Sequence, residues 1–209
     1  MFPAILAVVC LLVWGNSVSV PFQFDDEKVI LNNPDLSRPS VFLHAEKWFS
    51  FHGRPLSNAT FMLNYQLHHF DPAGYHWVNI LIHFLSALAV YKIIMLILLI
   101  SGKPDDKNIR FTALFGTLVF LVHPMQTESV TYISQRMTSL SGLFFFWGYY
   151  YYLKYRHPLQ PIYRHLFLSA LFIILAFFSK QTALNIFPVI VVSELILFHK
   201  KTDRTLTIT

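Results

Sequence analysis

The sequence predicts an all-α, polytopic membrane helical bundle, and three observations carry the prediction. Only 13% of the 209 residues are charged and 55% are apolar, with a mean hydropathy of +0.48; a soluble domain carries about 25% charged residues. Apolar runs recur at lengths near the roughly 20 residues that a helix needs to cross a bilayer. Basic residues alternate between successive loops, as they do when Lys and Arg are retained on the cytoplasmic side. The 21 Phe and 10 Tyr suit lipid-facing surfaces and interfacial belts. The net charge of +5 does not point to nucleic acid, because the Lys and Arg sit between apolar segments. Cys10 is alone, so no internal disulfide can form. The chain shows no internal repeat and no low-complexity linker, and it reads as a single transmembrane domain over 1–209.

The first segment is 2–20. A secretory leader would want a basic n-region and a small-residue cleavage site, whereas the first Lys here is Lys28, so the segment reads as a retained span with a cytoplasmic N-terminus. Val8 and Val9 before Cys10 make a poor lipoprotein box. One long polar loop follows, over 21–75. Pro21 and Asn33-Pro34 break regular structure near its start. Within it Val41, Phe42, Ala45, Trp48 and Phe49 share one helical face, with His44, Glu46 and Lys47 on the other, the pattern of an amphipathic interfacial helix. Gly53 reads as a break, and Arg54-Pro55 as the start of a second helix, since Pro suits the first helical position.

Five further spans are expected at 76–100, 111–122, 137–153, 166–178 and 183–198. Segment 111–122 reaches only roughly 18 Å against a core of roughly 30 Å, so it and 166–178 either borrow flanking polar residues or meet a locally thinned, protein-lined cavity. Lys103, Lys107 and Arg110 fill one loop, Lys154, Arg156 and Arg164 another, and Lys200, Lys201 and Arg204 the tail. The intervening turns, 123–136 and 179–181, hold one basic residue each. That alternation makes the three basic loops cytoplasmic and puts 21–75, 123–136 and 179–181 together on the outer face. Lys92 is the misfit inside its segment and either snorkels to the cytoplasmic edge or marks where that helix leaves the bilayer.

This topology gathers Asp25, Asp26 and Glu27 with His52, Arg54, His76, Asn79, His123, Thr127, Glu128, Gln135, Arg136, Lys180 and Gln181 at one rim. The spans themselves hold few ionisable groups, mainly His83, Lys92 and Glu194. A transporter would place acids near the midplane, so the pattern favours a surface-opening site over a conduction path. A carboxylate at a helix end is a general base, a metal ligand or a plain solvated turn, and the acids alone do not choose among these. Arg54, Arg136 and Lys180 either pair with the acids or bind a phosphate-bearing substrate, Arg through two parallel hydrogen bonds and Lys as a point charge. His123-Pro124 most simply ends the third span, and no His spacing forms a recognised metal-ligand set. Asn58-Ala-Thr60 matches a glycosylation sequon, a common pattern.

In register along 20–195, these residues resemble the transmembrane, tetratricopeptide-containing O-mannosyltransferases and their bacterial relatives, within the GT-C glycosyltransferases. The resemblance is carried by Phe24-Asp25-Asp26-Glu27 with Asn32-Asn33-Pro34, Gly53-Arg54-Pro55-Leu56, Tyr75-His76 with Asn79 and His83, His123-Pro124 with Thr127-Glu128 and Val130, Arg136 with Leu140, and Ser179-Lys180. It implies a GT-C-like bundle that passes a sugar, mannose for choice, from a polyprenyl- or dolichyl-phosphate carrier to a protein or glycan hydroxyl on the outer face, periplasmic, extracellular or luminal. It implies an acid of the first outer loop as base, Asp25 or Asp26 with Asp26 preferred, and Arg136 and Lys180, with His123 nearby, holding the lipid phosphate. Arg54 and Glu128 would order the loop or position substrate. No metal is assigned. Gln181 stands where the family usually has Glu, and the relatives carry further spans and a C-terminal tetratricopeptide region, so the expectation is an N-terminal portion of a larger protein. The alternative reading is a non-catalytic membrane scaffold or polysaccharide-assembly partner, with a transporter behind it.

Overall fold

The computed structural model describes residues 2–38, 40, 54–104, 106–157 and 162–198. Among them every regular element is helical, as the composition predicts. Helix α1 (Phe2–Trp14) runs on as a 3-10 segment, Gly15–Ser19. A single π turn (Glu27–Leu31) and a 3-10 turn (Pro34–Ser37) follow. Helices α2 (Pro55–His68), α3 (Pro72–Ile100), α4 (Lys107–Val122), the short α5 (Gln126–Thr131), α6 (Arg136–Arg156), α7 (Tyr163–Ser179) and α8 (Ile186–Ser193) complete the order. The expected interfacial helix around Trp48, with His52 and Gly53, and the basic tail of Lys200, Lys201 and Arg204 lie outside the described residues.

Local chemistry sets the boundaries. Pro55 opens α2 at its first position, as expected. Asp71 caps α3 by accepting from Ala73 N at 3.0 Å with Pro72 next, so this helix begins earlier than the apolar run. Asp106 Oδ1 accepts from the amides of Asn108 and Ile109 at 2.9 and 3.1 Å, so α4 starts at Lys107 and reaches roughly 24 Å. The helices at these two expected spans extend into polar residues, α4 through Lys107, Asn108 and Arg110, and α7 through Tyr163, Arg164 and His165. The last segment is not one uniform helix. It passes from 3-10 (Gln181–Asn185) through α8 to a π turn (Glu194–Phe198). Among the described residues three runs are long and apolar enough to cross a membrane, Phe2–Ser19, Pro72–Ile100 and Gln181–Phe198, and the chain is a membrane protein.

Helix α3 lies at the centre, packed on α1, α4 and α6. One core joins Leu6, Cys10 and Trp14 of α1 to Ile80 and Ala87 of α3 and Leu121 of α4. The Leu121 carbonyl accepts from Trp14 Nε1 at 2.9 Å and lies 3.0 Å from His83 Nε2. With no water in the hydrocarbon, such polar side chains must find partners inside the bundle. Helices α6 and α7 meet through small residues. Ser141 Oγ donates to Ala176 O (3.1 Å) and Ser169 Oγ to Gly148 O (2.9 Å). A Cβ on Gly148 would stand 3.1 Å from Ile173 Cγ1, so glycine sets how closely the two backbones approach. Lys92 is exposed, its ammonium 5.7 Å from the centre of the Tyr150 ring, which Lys154 also faces at 5.9 Å. Arg156 pairs with Glu194 through two 2.6 Å hydrogen bonds, with the Tyr152 hydroxyl on the same carboxylate.

Candidate functional site

One end of the bundle gathers residues from five separate stretches of chain. The segment after α1 reaches α3, where His76 Nε2 lies 2.9 Å from Val20 O, and it reaches the α5–α6 connection through Asp25 and Asp26. Arg54, at the start of α2, touches Met137 of α6. Lys180, just past α7, touches Thr138. Ser57 Oγ donates to Ser179 O at 3.0 Å and ties α2 to the end of α7.

The two adjacent aspartates have different environments. Asp26 is 1% exposed. Its Oδ1 accepts from Ser134 N at 2.6 Å and its Oδ2 from Gln23 N at 3.1 Å, so the carboxylate staples the turn to the connection before α6. Asp25 is exposed, and its backbone N–H donates to the Tyr132 hydroxyl at 2.8 Å. Phe24, just before them, holds the left-handed conformation at φ 49. A bulky residue adopts that conformation only where the surroundings over-determine it. Consecutive residues thus open on different cavities. Asp25 lines one of about 510 Å³ with Asn32, Asp35, Arg54, Asn58 and Met137. Asp26 lines one of about 340 Å³ with Phe24, Thr127, Glu128 and Tyr132.

Two cations stand close together at this end. Arg54 Nη1 lies 3.1 Å from Met137 Sδ, a weak acceptor, and its buried Nε has no hydrogen-bond partner among the described residues. Lys180 Nζ donates to Thr138 Oγ1 at 2.6 Å. Burial first, and then the charge of Arg54, pull the Lys180 ammonium below its ordinary pKa, with Glu128 opposing. Among the described residues neither cation makes an ion pair with a carboxylate. Two cations with no ion-pair partner among the described residues favour an anion placed between them.

Arg136 occupies a different position from the one expected of a phosphate ligand. It is fully buried, and its guanidinium donates to Asn79 Oδ1 (2.7 Å), Tyr75 O (2.9 Å) and Thr60 O (3.3 Å), with the Phe61 ring 4.7 Å away. Its donors knit α2, α3 and α6 together. His123 is exposed, and its Nδ1 accepts from Met125 N at 3.2 Å, which closes the turn that ends α4. Glu128 is exposed at the rim of the smaller cavity. Among the described residues no three His, Cys, Asp or Glu side chains cluster as metal ligands would. Tyr132, Ser134 and Thr138 belong to the site yet are not legible in the sequence, because each acts through a contact more than forty residues away in the chain.

Comparison with known proteins gives one consistent result. The chain is similar to human protein O-mannosyl-transferase TMTC3, 33% identical over 166 residues, covering 74% of this chain and 17% of the relative. It is 34% identical over 157 residues to mouse TMTC4, covering 68% and 21%. It is 31% identical over 226 residues to human TMTC1, covering 97% and 24%. The chain spans about a fifth of the length of these curated relatives. No family model and no solved structure matches it.

Proposed function

Since the chain belongs to the TMTC-like family of protein O-mannosyl-transferases, we propose that it is a glycosyltransferase unit. It moves a mannosyl group from a polyprenyl-phosphate carrier to a hydroxyl of an acceptor. The observation that carries this reading is the larger cavity. It holds the exposed acid Asp25 and the cation Arg54, with Lys180 beside Arg54 and neither cation neutralised among the described residues. Six spans and a cytoplasmic N-terminus fit the placement of all these residues at one end of the bundle, which then faces outward.

In this reading Arg54 and Lys180 hold the donor phosphate, and the sugar lies in the larger cavity against Asn32, Asp35 and Asn58. The acceptor oxygen attacks the anomeric carbon as the Asp25 carboxylate takes its proton. The bond from that carbon to the phosphate oxygen breaks, and the electron pair leaves on the polyprenyl phosphate, whose charge the two cations stabilise. Inversion follows from attack on the face opposite the leaving group. Asp25 is favoured over Asp26 because both Asp26 oxygens already accept backbone amides, whereas Asp25 is exposed and lines the larger cavity. Arg136 serves as scaffold.

The test is transfer of radiolabelled mannose from a polyprenyl phosphate in membranes carrying the chain. Asp25→Asn is expected to abolish transfer while donor binding persists, and Arg54→Ala or Lys180→Ala to weaken donor binding. Wild-type rates in Asp25→Asn would remove the base from this scheme.

A further inference from the structure

The far end of α6 is rich in tyrosine and has no part in the site described above. Lys154 lies roughly 27 Å along the helix from Arg136. The cations of this end are of two kinds. Arg156 is satisfied, because the Glu194 carboxylate accepts two hydrogen bonds from it and one from the Tyr152 hydroxyl. Lys154, and Lys92 across from it on α3, are not. Their ammonium groups lie 5.9 and 5.7 Å from the centre of one ring, that of Tyr150. Among the described residues neither makes an ion pair. The described acids nearby are engaged elsewhere, Glu194 with Arg156 and Asp106 with the first amides of α4. A tyrosine face attracts a cation weakly and does not neutralise two, so the pair of ammonium groups still repel each other.

Lys154 also acts on the start of α7. Burial first, and then the charges of Lys154 and Arg164, hold the His165 imidazole below its ordinary pKa. His165 is 7% exposed and stacks on Tyr151 at 6.1 Å, and its buried Nδ1 has no hydrogen-bond partner among the described residues. Helix α7 begins at Tyr163 without a side-chain cap, so the positive end of its dipole adds to the same charge. We propose that Lys92 and Lys154, with the start of α7, bind the phosphate headgroup of an anionic phospholipid. A lipid is favoured over a free phosphate by the apolar surface that adjoins the cations. Tyr163, Phe167, Leu171 and Ile174 form an exposed stripe that runs from beside Arg164 toward the middle of the bundle, the path of an acyl chain. Tyrosine rings at headgroup level present an apolar body and a polar tip. The proposal stands on the membrane character of the chain and does not depend on the transferase reading.

The test measures binding of a fluorescent phosphatidylglycerol to the full chain in neutral detergent. Removing one lysine is expected to weaken binding by roughly five-fold, the worth of one cation at an anionic lipid surface, and Lys92→Gln with Lys154→Gln together by roughly 25-fold. Lys103→Gln with Lys107→Gln removes the same charge from the same end and is expected to leave the affinity unchanged. Equal losses in the two pairs overturn the site, because diffuse charge then accounts for the binding. Equal affinity of the wild type for phosphatidylglycerol and phosphatidylcholine overturns it as well. Displacement of the lipid by glycerol 1-phosphate at the concentration the lipid itself requires overturns the lipid assignment in favour of a free phosphate ester. Where the double variant does not fold, Lys92→Gln alone decides, since Lys92 is exposed, and a wild-type affinity in that variant overturns the proposal.

Discussion

Replacing each acid of the turn by its amide separates the two aspartates. In Asp26→Asn one oxygen remains an acceptor, but the NH₂ group must face either Ser134 N or Gln23 N, both of which are donors. A hydrogen bond to a charged acceptor contributes about 1.5–3 kcal/mol, and a buried donor left unpaired costs about 1–3 kcal/mol. The substitution therefore costs about 2–4 kcal/mol, a large share of a total stability of about 5–15 kcal/mol. At this chain length that lowers Tm by roughly 5–15 °C. In Asp25→Asn the exposed side chain changes without disturbing the backbone N–H held by Tyr132, so stability stays within about 0.5 kcal/mol. Loss of a general base lowers its transfer rate by about 10²–10⁴-fold. Thermal unfolding in detergent and mannosyl transfer from the same preparations measure both quantities. An Asp26→Asn protein with wild-type Tm and no transfer, beside a fully active Asp25→Asn, would reverse the two roles and refute the reasoning.

Other perturbations follow from the same geometry. Arg136→Met strands Asn79 Oδ1 in the interior, while Tyr75 O keeps its helical hydrogen bond, and is expected to cost about 1–3 kcal/mol, seen as lost folded protein and not as a raised donor KM. Donor binding is expected to weaken as pH rises through the depressed Lys180 pKa, below the ordinary 10.5, because the deprotonated amine no longer attracts phosphate. Below that pKa the ammonium is present and binding is flat, and Lys180→Arg moves the alkaline limb upward in a titration of donor affinity. Gly148→Val drives a side chain into Ile173 and is expected to cost about 1–3 kcal/mol, measured by thermal unfolding. Glu194→Gln, in an ion pair whose side chains are 39% and 37% exposed, is expected to change stability by no more than about 1 kcal/mol.

Much of the fold is readable from pattern. Apolar runs locate α3, α6 and α7 within a few residues, and Pro55 marks a helix start because proline fits the first helical position. Boundaries slip where a cap extends the helix beyond the apolar run, as Asp106 does for α4. The change of the last segment from 3-10 through α to π carries no apolar signature, since its residues are uniformly greasy. At the site, counting charges brings Asp25, Arg54, Glu128 and Lys180 to one rim, but counting treats all charges alike. It does not tell a buried Arg136 with three neutral acceptors from an Arg54 whose Nε has no partner among the described residues.

The sequence by itself determined that this is a helical membrane protein of the TMTC-like family, and which loops carry its charges. Hydrophobic length and residue order are one-dimensional properties, and they survive without coordinates. Tertiary structure alone decided which charged groups are already buried and hydrogen-bonded. Burial and hydrogen-bond satisfaction are properties of neighbours distant in the chain: Ser134 occupies Asp26, Asn79 and Tyr75 occupy Arg136, and Tyr132 holds the Asp25 backbone while leaving its carboxylate exposed.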